Sequence, residues 1–216
     1  MNFEIARAQM LAQQIRAAEV LDDRVLDVLR AVPREDFVPP EYRELAFADM
    51  EIPIGRGQRM MAPVVEGRLL QALELEPIDR VLEVGTGTGF LTACLARLAG
   101  HVDSVDIYPE FVEAAGPKLA RLEIHNVTLE AADALALERP GRYDAIAVTG
   151  SLPRLKDSLV RMLRPGGRMF VIVGRAPIME AQLVTMHANG RITVDSLFET
   201  LRQPLVNAEQ PEAFVL

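Results

Sequence analysis

The segment Glu83-Val-Gly-Thr-Gly-Thr-Gly89 combines one carboxylate with three glycines at alternate positions. Glycine lets the backbone turn tightly and approach a ligand closely, so this pattern indicates a ligand-binding loop. Its spacing differs from the G-x-G-x-x-G of dinucleotide-binding loops, because the third glycine comes one residue earlier. A phosphate-binding P-loop is also excluded, since no Gly-Lys-Ser/Thr follows.

Two further carboxylates follow the next two apolar strands. Asp106 comes about 20 residues after the glycine loop, at the end of the strand predicted over 101–105, where a carboxylate can accept both ribose hydroxyls. Asp133 follows the strand predicted over 127–130. Acidic residues at strand ends are often merely solvated. A glycine loop and two carboxylates in register on successive strands nevertheless favour one shared binding site.

The elements around these residues alternate between short apolar strands and helices, which is typical of βαβ units and a mostly parallel sheet. A helix through Leu155, Leu159 and Met162 is predicted before the last of these strands. Further on, an Asn-Gly step favours a hairpin between the runs 181–186 and 192–200. The predicted fold is therefore α/β: a doubly wound, mostly parallel, Rossmann-like sheet with an antiparallel C-terminal strand pair and an N-terminal helical extension.

The first third of the chain has a different pattern, with helices predicted over 3–18 and 22–29. The prolines that follow end the second helix. The run 51–58 predicts a short strand leading into a glycine loop, and Pro63 begins another helix. We therefore divide the chain into a helical leader with a covering loop for substrate and cofactor, residues 1–62, and one compact α/β core, residues 63–216.

Composition excludes several classes of protein. The 216 residues include one cysteine and three histidines, so neither an internal disulfide nor a Cys/His zinc site is expected, and no metal is predicted. The net charge of −8 argues against nucleic acid as a partner. No apolar run reaches the length of a membrane span, so we expect no membrane partner. The expected location is the cytoplasm.

The pattern E-x-G-x-G-x-G resembles the first motif of class I methyltransferases that use S-adenosylmethionine (SAM). Longer stretches are similar to the protein-L-isoaspartate O-methyltransferase family: Val32-Pro-Arg-Glu-Asp-Phe-Val-Pro39, Asp79-Arg-Val-Leu-Glu-Val-Gly85, Tyr143-Asp-Ala-Ile-Ala-Val-Thr149 and Leu163-Arg-Pro-Gly-Gly-Arg168. The resemblance covers roughly residues 5 to 175.

This resemblance implies SAM as methyl donor, S-adenosylhomocysteine as product, and methylation of the free α-carboxylate of an L-isoaspartyl residue, the first step of protein repair. It also implies that Asp133 contacts the adenine amino group. The cofactor-binding residues expected from it are Glu83, Gly85, Thr86, Gly87, Gly89, Asp106, Ile107, Asp133 and Ala134.

The substrate loop departs from the family pattern. The family continues Gly-Gln with Thr-Ile-Ser-Gln-Pro, whereas this chain reads Gln58-Arg-Met-Met-Ala-Pro63, so Met61 occupies the serine position. A hydroxyl donor is thereby replaced by a thioether, which is at best a weak acceptor. Arg59 could bind a carboxylate through its guanidinium, or it could be a solvated loop arginine. The predicted substrate-binding residues are Gln58, Arg59, Met60, Met61 and Thr149.

Three functions remain open at this point. The first is a SAM-dependent carboxyl methyltransferase acting on isoaspartyl sites of a protein or peptide. The second is a methyltransferase with another acceptor, such as a small-molecule carboxylate or a different protein carboxylate. The third is a SAM-binding interaction protein without catalytic activity. Thr149 and Ser151 are expected either to face the reactive end of the cofactor or to cap the helix after Pro153.

Overall fold

A computed structural model describes residues 2–208 of the chain. Its α-helices are α1 Phe3–Met10, α2 Asp23–Ala31, α3 Pro63–Ala72, α4 Phe90–Leu98, α5 Pro109–Arg121 and the single turn α6 Asp157–Val160. Its strands are β1 Ile52–Gly55, β2 Gln58–Met60, β3 Arg80–Val84, β4 His101–Asp106, β5 Val127–Ala131, β6 Tyr143–Leu152, β7 Leu163–Arg175, β8 Ile178–Met186 and β9 Ile192–Glu199. No helix within residues 2–208 is long and apolar enough to cross a membrane.

The central sheet has seven strands in the order β5-β4-β3-β6-β7-β8-β9. Strands β3 to β7 pair in parallel, and β8 and β9 are added antiparallel. Val84 pairs with Val105 on one side and Val148 on the other, so three strands end together at one edge. The predicted fold class is confirmed, including the antiparallel C-terminal pair.

The helical start of the leader also agrees with the sequence pattern. Beyond α1 the chain stays helical through a wider turn over Leu11–Ile15 and a tight turn over Arg16–Ala18. Glu19 then adopts a left-handed conformation with φ of 65°, which ends the helix. The second helix, α2, ends at Ala31, two residues before Pro33, as the restriction on pre-proline residues requires.

The leader and the core residues share one apolar cluster. Leu29 and Phe37 of the leader belong to the same buried cluster as Leu69 of α3 and Phe90 and Leu95 of α4. The rings of Phe37 and Phe90 meet edge to face with their centroids 5.7 Å apart. Burial of this apolar area is what attaches the leader to one face of the sheet.

The short strand predicted within 51–58 and the glycine loop after it are present as β1 and the turn at Arg56 and Gly57, which both take positive φ. The sequence pattern does not reveal β2, which begins at Gln58 and pairs antiparallel with β1.

One local prediction was wrong. The helix predicted through Leu155, Leu159 and Met162 is reduced to the single turn α6. It stops there because the carbonyls of residues 161 and 162 accept hydrogen bonds from the amides of 141–143 instead.

A buried arginine joins three separate segments. The Arg34 side chain is 1% exposed; its Nε donates to the carbonyl of Ala46 at 2.8 Å and its Nη2 to that of Met61 at 2.7 Å. Its Nη1 forms an ion pair with Glu66 of α3, which is also buried. The guanidinium lies over the Phe90 ring, 4.7 Å from its centroid. All three guanidinium nitrogens of Arg34 therefore have a partner in this interior.

The Arg34→Met variant is expected to lower the free energy of unfolding by about 3–5 kcal/mol, because the carboxylate of Glu66 is left buried without its partner. Urea unfolding measures this. Arg43→Met is the matched control, because Arg43 pairs with Asp36 at the surface and such pairs contribute about 0–1 kcal/mol. A loss for Arg34→Met no larger than for the control would contradict the role given to this ion pair.

Candidate functional site

A cleft of about 650 Å³, including the space open to solvent, lies at the edge where β3, β4 and β6 end. Its walls come from the glycine loop, the ends of β4 and β6, the turn after β5, the β1–β2 hairpin and the segment after β9. This is the edge at which parallel α/β sheets bind their ligands. The lining residues from the predicted set are Gln58, Arg59, Gly85, Gly87, Asp106, Ile107, Asp133, Ala134 and Thr149.

The glycine loop requires residues without side chains. At Gly85, where φ is 97°, an added Cβ would lie 2.2 Å from Oγ1 of Thr149. That hydroxyl is within hydrogen-bond distance of the carbonyl oxygens of Val84, at 2.9 Å, and Gly85, at 3.1 Å. At Gly87, where φ is 51°, an added Cβ would lie 3.3 Å from Ile54. The loop is a backbone-lined cradle at the cleft wall, as its composition predicts.

Asp106 is fixed by the loop that it faces. Its Oδ2 accepts a hydrogen bond from the amide of Gly87 at 2.9 Å, and its Oδ1 accepts one from the amide of Tyr108 at 3.0 Å. Burial raises the pKa of Asp106 and the two backbone hydrogen bonds oppose that shift. The result is a rigidly oriented carboxylate in the cleft, which suits recognition of neighbouring hydroxyl groups.

Asp133 stands across the cleft on the turn after β5. Its Oδ1 accepts from the amide of Leu135 at 2.9 Å, and its Oδ2 accepts from Nδ2 of Asn207 at 2.9 Å. Asn207 belongs to the segment after β9, so this carboxylate links that segment to the cleft wall.

Glu83 lies beneath the glycine loop rather than in the cleft. Its side chain is fully buried, and its Oε2 accepts hydrogen bonds from Thr92 Oγ1 at 2.5 Å and Ser104 Oγ at 2.6 Å. Thr86 joins the same network through Ser104, at 2.6 Å. Burial raises the pKa of Glu83 to about 8. The carboxyl therefore supports the loop from below, and neither Glu83 nor Gly89 is among the residues that line the cleft.

A smaller cavity of about 300 Å³ adjoins the cleft. The glycine loop separates the larger compartment from the smaller one, and the residues that line both are Ile54, Arg59, Gly85, Gly87, Thr149 and Arg202. The further residues of the smaller cavity include the two methionines of the substrate loop, the glycine-loop threonine and a buried glutamate: Met60, Met61, Thr86 and Glu66.

The substrate-loop side chains differ in their surroundings. Met61 is 3% exposed and Met60 is 5% exposed, and Sδ of Met60 accepts a hydrogen bond from Thr88 Oγ1 at 3.7 Å. Arg59 is exposed, and within residues 2–208 no hydrogen bond or ion pair of its guanidinium is found. Thr149 and Ser151 lie inside β6, so the alternative in which they cap the next helix is wrong.

Sequence reasoning missed the segment after β9. Its residues Arg202, Gln203, Pro204, Leu205 and Val206 line the cleft. The amide of Ser151 donates to the carbonyl of Gln203 at 2.9 Å, and the amide of Leu205 donates to the carbonyl of Ser151 at 2.9 Å. No local pattern signals this role, because the segment pairs with a strand about 50 residues earlier. Within the described residues, no cluster of three or more His, Cys, Asp or Glu suited to a metal is present.

The fold and the cleft define a class I methyltransferase that uses SAM: a seven-stranded sheet, a glycine cradle after β3 and fixed carboxylates after β4 and β5. An added Cβ at Gly85 would collide with Thr149, so only glycine fits there, and this bare backbone with the oriented Asp106 fits a nucleoside-bearing cofactor.

Comparison with known proteins identifies the family. Residues 6–210 match the family model for protein-L-isoaspartate(D-aspartate) O-methyltransferase. The protein-L-isoaspartate O-methyltransferase of Koribacter versatilis is 34% identical over 208 residues, 95% of this chain and 92% of the relative. Protein-L-isoaspartate O-methyltransferase 1 of Rhodopseudomonas palustris is 40% identical over 174 residues, 80% of this chain and 71% of the relative. The chain belongs to the protein-L-isoaspartate O-methyltransferase family, and it is a SAM-dependent methyltransferase.

A solved structure of a beta-aspartate methyltransferase from Plasmodium falciparum, in complex with S-adenosyl-L-homocysteine, has the same fold. The TM-score is 0.78 at 22% identity, over 95% of this chain and 98% of that one.

The Glu83→Gln variant is expected to lose less stability than the wild type between pH 5 and pH 8. Below the ordinary pKa of 4.5, Glu83 is protonated in both the folded and the unfolded state. Between this pH and the folded pKa of about 8, Glu83 ionises only in the unfolded chain. The free energy of unfolding therefore falls as pH rises through this range. Glutamine imitates the protonated carboxyl and cannot ionise. Urea unfolding at both pH values measures the difference.

The control for this variant is Glu138→Gln, which changes an exposed glutamate and should leave the pH dependence as in the wild type. Burial also raises the pKa of Glu66, to about 7. Because Glu66 is present in all three proteins, its contribution to the pH dependence of stability cancels when they are compared. An equal loss of stability in Glu83→Gln and wild type would show that Glu83 is ionised in the fold.

Proposed function

We propose that the protein transfers the methyl group of SAM to the free carboxylate of an L-isoaspartyl residue in a protein or peptide. The observation that carries this proposal is the pair of adjoining cavities that share Gly85, Gly87 and Thr149, one suited to a cofactor and the other to an acceptor group. Membership of the isoaspartyl methyltransferase family supports the choice of acceptor.

In the larger cleft we assign the cofactor to the glycine loop and the two strand-end carboxylates. Asp106 would accept the ribose hydroxyls, and Asp133 with Ala134 would border the adenine. Gly85 and Gly87 would allow the remaining part of the cofactor to approach the backbone closely. Glu83, Thr86 and Gly89 would act by keeping the loop in this conformation, since Glu83 and Gly89 do not reach the cleft and Thr86 hydrogen-bonds Ser104.

The acceptor chemistry makes few demands on the protein. Bound SAM supplies a methyl group activated by a sulfonium, and an acceptor carboxylate is already ionised at pH 7, because its ordinary pKa is near 4. No general base is then required. The chain's own residues have to hold the acceptor oxygen in line with the methyl group and exclude water.

Arg59 is the residue that we assign to the acceptor carboxylate. Arg59 lines both cavities, and the lack of a partner for its guanidinium within residues 2–208 leaves its donors available. A guanidinium can bind a carboxylate through two parallel hydrogen bonds. Gln58, Met60, Met61 and Thr149 complete the proposed acceptor site, in which Met61 supplies apolar contact where the family has a serine.

Met61 also favours a second candidate function. A buried thioether beside the smaller cavity provides no hydrogen-bond donor, which would suit a methyltransferase with another acceptor, such as a different protein carboxylate or a small molecule.

We also infer the organisation and setting of the protein. Residues 1–62 would cover the substrate and cofactor, while residues 63–216 form the catalytic core. The net charge of −8 disfavours nucleic acid as a partner, and we propose no membrane partner. With a single buried cysteine, the fold is compatible with a reducing compartment, and the cytoplasm is the proposed location.

The Asp106→Ala variant is expected to weaken SAM binding by about 1–3 kcal/mol, because charge-assisted hydrogen bonds to the ribose are lost. Isothermal titration calorimetry with SAM measures the affinity. Asp195→Ala removes the same group from an exposed position on β9 and should bind SAM as the wild type does. Equal affinities for both variants would remove Asp106 from the cofactor site.

The test of the acceptor is transfer of labelled methyl from SAM to an isoaspartyl peptide and to its aspartyl twin. We expect methylation of the isoaspartyl peptide alone. The Met61→Ser variant should increase the rate on the order of tenfold, because it restores a donor beside the acceptor. SAM binding without methylation of either peptide, by wild type or variant, would reject the isoaspartyl acceptor and favour the second candidate.

A further inference from the structure

Arg202, in the segment after β9, hydrogen-bonds to three separate parts of the chain. Its Nε donates to the carbonyl of Thr149 at 2.6 Å, and its Nη2 donates to the carbonyl of Arg59 at 2.6 Å. Its Nη1 forms an ion pair with Glu51, just before β1. The Arg202 side chain is only 9% exposed, so water competes little for these bonds.

The backbone from which Arg202 extends is itself fixed. Its carbonyl accepts a hydrogen bond from Ser151 Oγ at 2.8 Å, and the residues on either side of Pro204 exchange backbone hydrogen bonds with Ser151. The guanidinium is therefore anchored to the end of β6, one of the three strands that end at the cleft. A planar guanidinium has five donors in fixed directions and suits several acceptors at once, which a lysine cannot imitate.

The hairpin that Arg202 contacts has little stability of its own. Strands β1 and β2 form a separate two-stranded sheet of four and three residues, outside the central sheet. Isolated hairpins of this kind are at best marginally stable in water. An ion pair between Arg56 and Glu110 also contacts the turn, but both side chains are largely exposed, and such pairs contribute little.

We propose that Arg202 is a positioning residue for the methyl acceptor. By bonding the carbonyl of Arg59 and the carbonyl of Thr149, it fixes β2 against the end of β6, so that the Arg59 guanidinium stands where the two cavities meet. Arg202 thus acts on the acceptor through Arg59, and this role rests on the proposed function. The hydrogen bonds that orient Asp106 in the proposed cofactor cradle come from the amides of Gly87 and Tyr108 and do not involve Arg202.

The test measures steady-state kinetics with the isoaspartyl peptide for Arg202→Ala, Arg202→Lys, Arg59→Ala and the double variant. Arg202→Ala is expected to lower kcat/KM for the peptide by about tenfold, the equivalent of one charge-assisted hydrogen bond. Arg202→Lys should recover only part of this, because an ammonium cannot reach all three partners. The affinity for S-adenosylhomocysteine, measured by calorimetry, should change less than threefold.

The double variant separates positioning from a general structural role. If Arg202 acts through Arg59, Arg202→Ala lowers kcat/KM less than twofold in the Arg59→Ala background. Two independent tenfold effects that multiply would overturn the proposal. Arg56→Ala is the matched control: it removes another arginine that contacts the hairpin, through the exposed pair with Glu110, and it should change kcat/KM less than twofold.

Hydrogen–deuterium exchange distinguishes failure of this proposal from failure of the proposed function. Amides of residues 52–61 should exchange at least several-fold faster in Arg202→Ala, and in Arg202→Lys to a smaller extent, than in wild type or Arg56→Ala. This readout needs no acceptor, so it applies even if the wild type methylates no isoaspartyl peptide. Unchanged exchange in both Arg202 variants would overturn the positioning role whatever the acceptor is.

Discussion

The backbone of residues 51–62, the proposed acceptor segment, is held by two arginines from other parts of the chain. Arg34 of the leader donates to the carbonyl of Met61, and Arg202 of the segment after β9 donates to the carbonyl of Arg59. Both side chains are largely buried and each is paired with a carboxylate, Glu66 or Glu51. A short hairpin outside the main sheet cannot hold such a conformation by itself. The shape of the smaller cavity therefore depends on contacts made by the leader, through Arg34, and by the segment after β9, through Arg202.

The part of the site proposed for the cofactor is held by the central sheet and not by distant arginines. The glycine loop lies between β3 and α4, and its partner Asp106 ends the adjacent parallel strand, so the sheet register sets their separation. The two halves can therefore diverge separately. Because Arg34 and Arg202 bond carbonyl groups, side chains on the acceptor segment can change while its backbone is retained. A methionine at residue 61, where the resemblance implies a serine, is therefore compatible with an unchanged arrangement of Gly85, Gly87 and Asp106.

The sequence predicts the part of the site that is built by the parallel sheet better than the part that is held by distant arginines. The mostly parallel sheet, the glycine loop, Asp106 and Asp133 follow from local patterns and from the rule that parallel strands end at one edge. The contact of Arg202 with Arg59 spans 143 residues and ends on a carbonyl, which every residue type provides, so no pattern signals it. Glu83 was predicted to bind the cofactor from its place in the motif, yet its direction depends on Thr92 and Ser104, which lie on different elements.

The charge at the proposed acceptor site depends on the residues around it and not on the net charge of the chain. A protein with a net charge of −8 would repel an acidic acceptor if its carboxylates faced the site. Glu66 does line the smaller cavity, but Arg34 pairs with it, and its burial raises its pKa to about 7, which further disfavours a net negative charge there. Within residues 2–208 no carboxylate pairs with the exposed guanidinium of Arg59. Arg34 has two effects, because the guanidinium that bonds the carbonyl of Met61 also neutralises the carboxylate of Glu66.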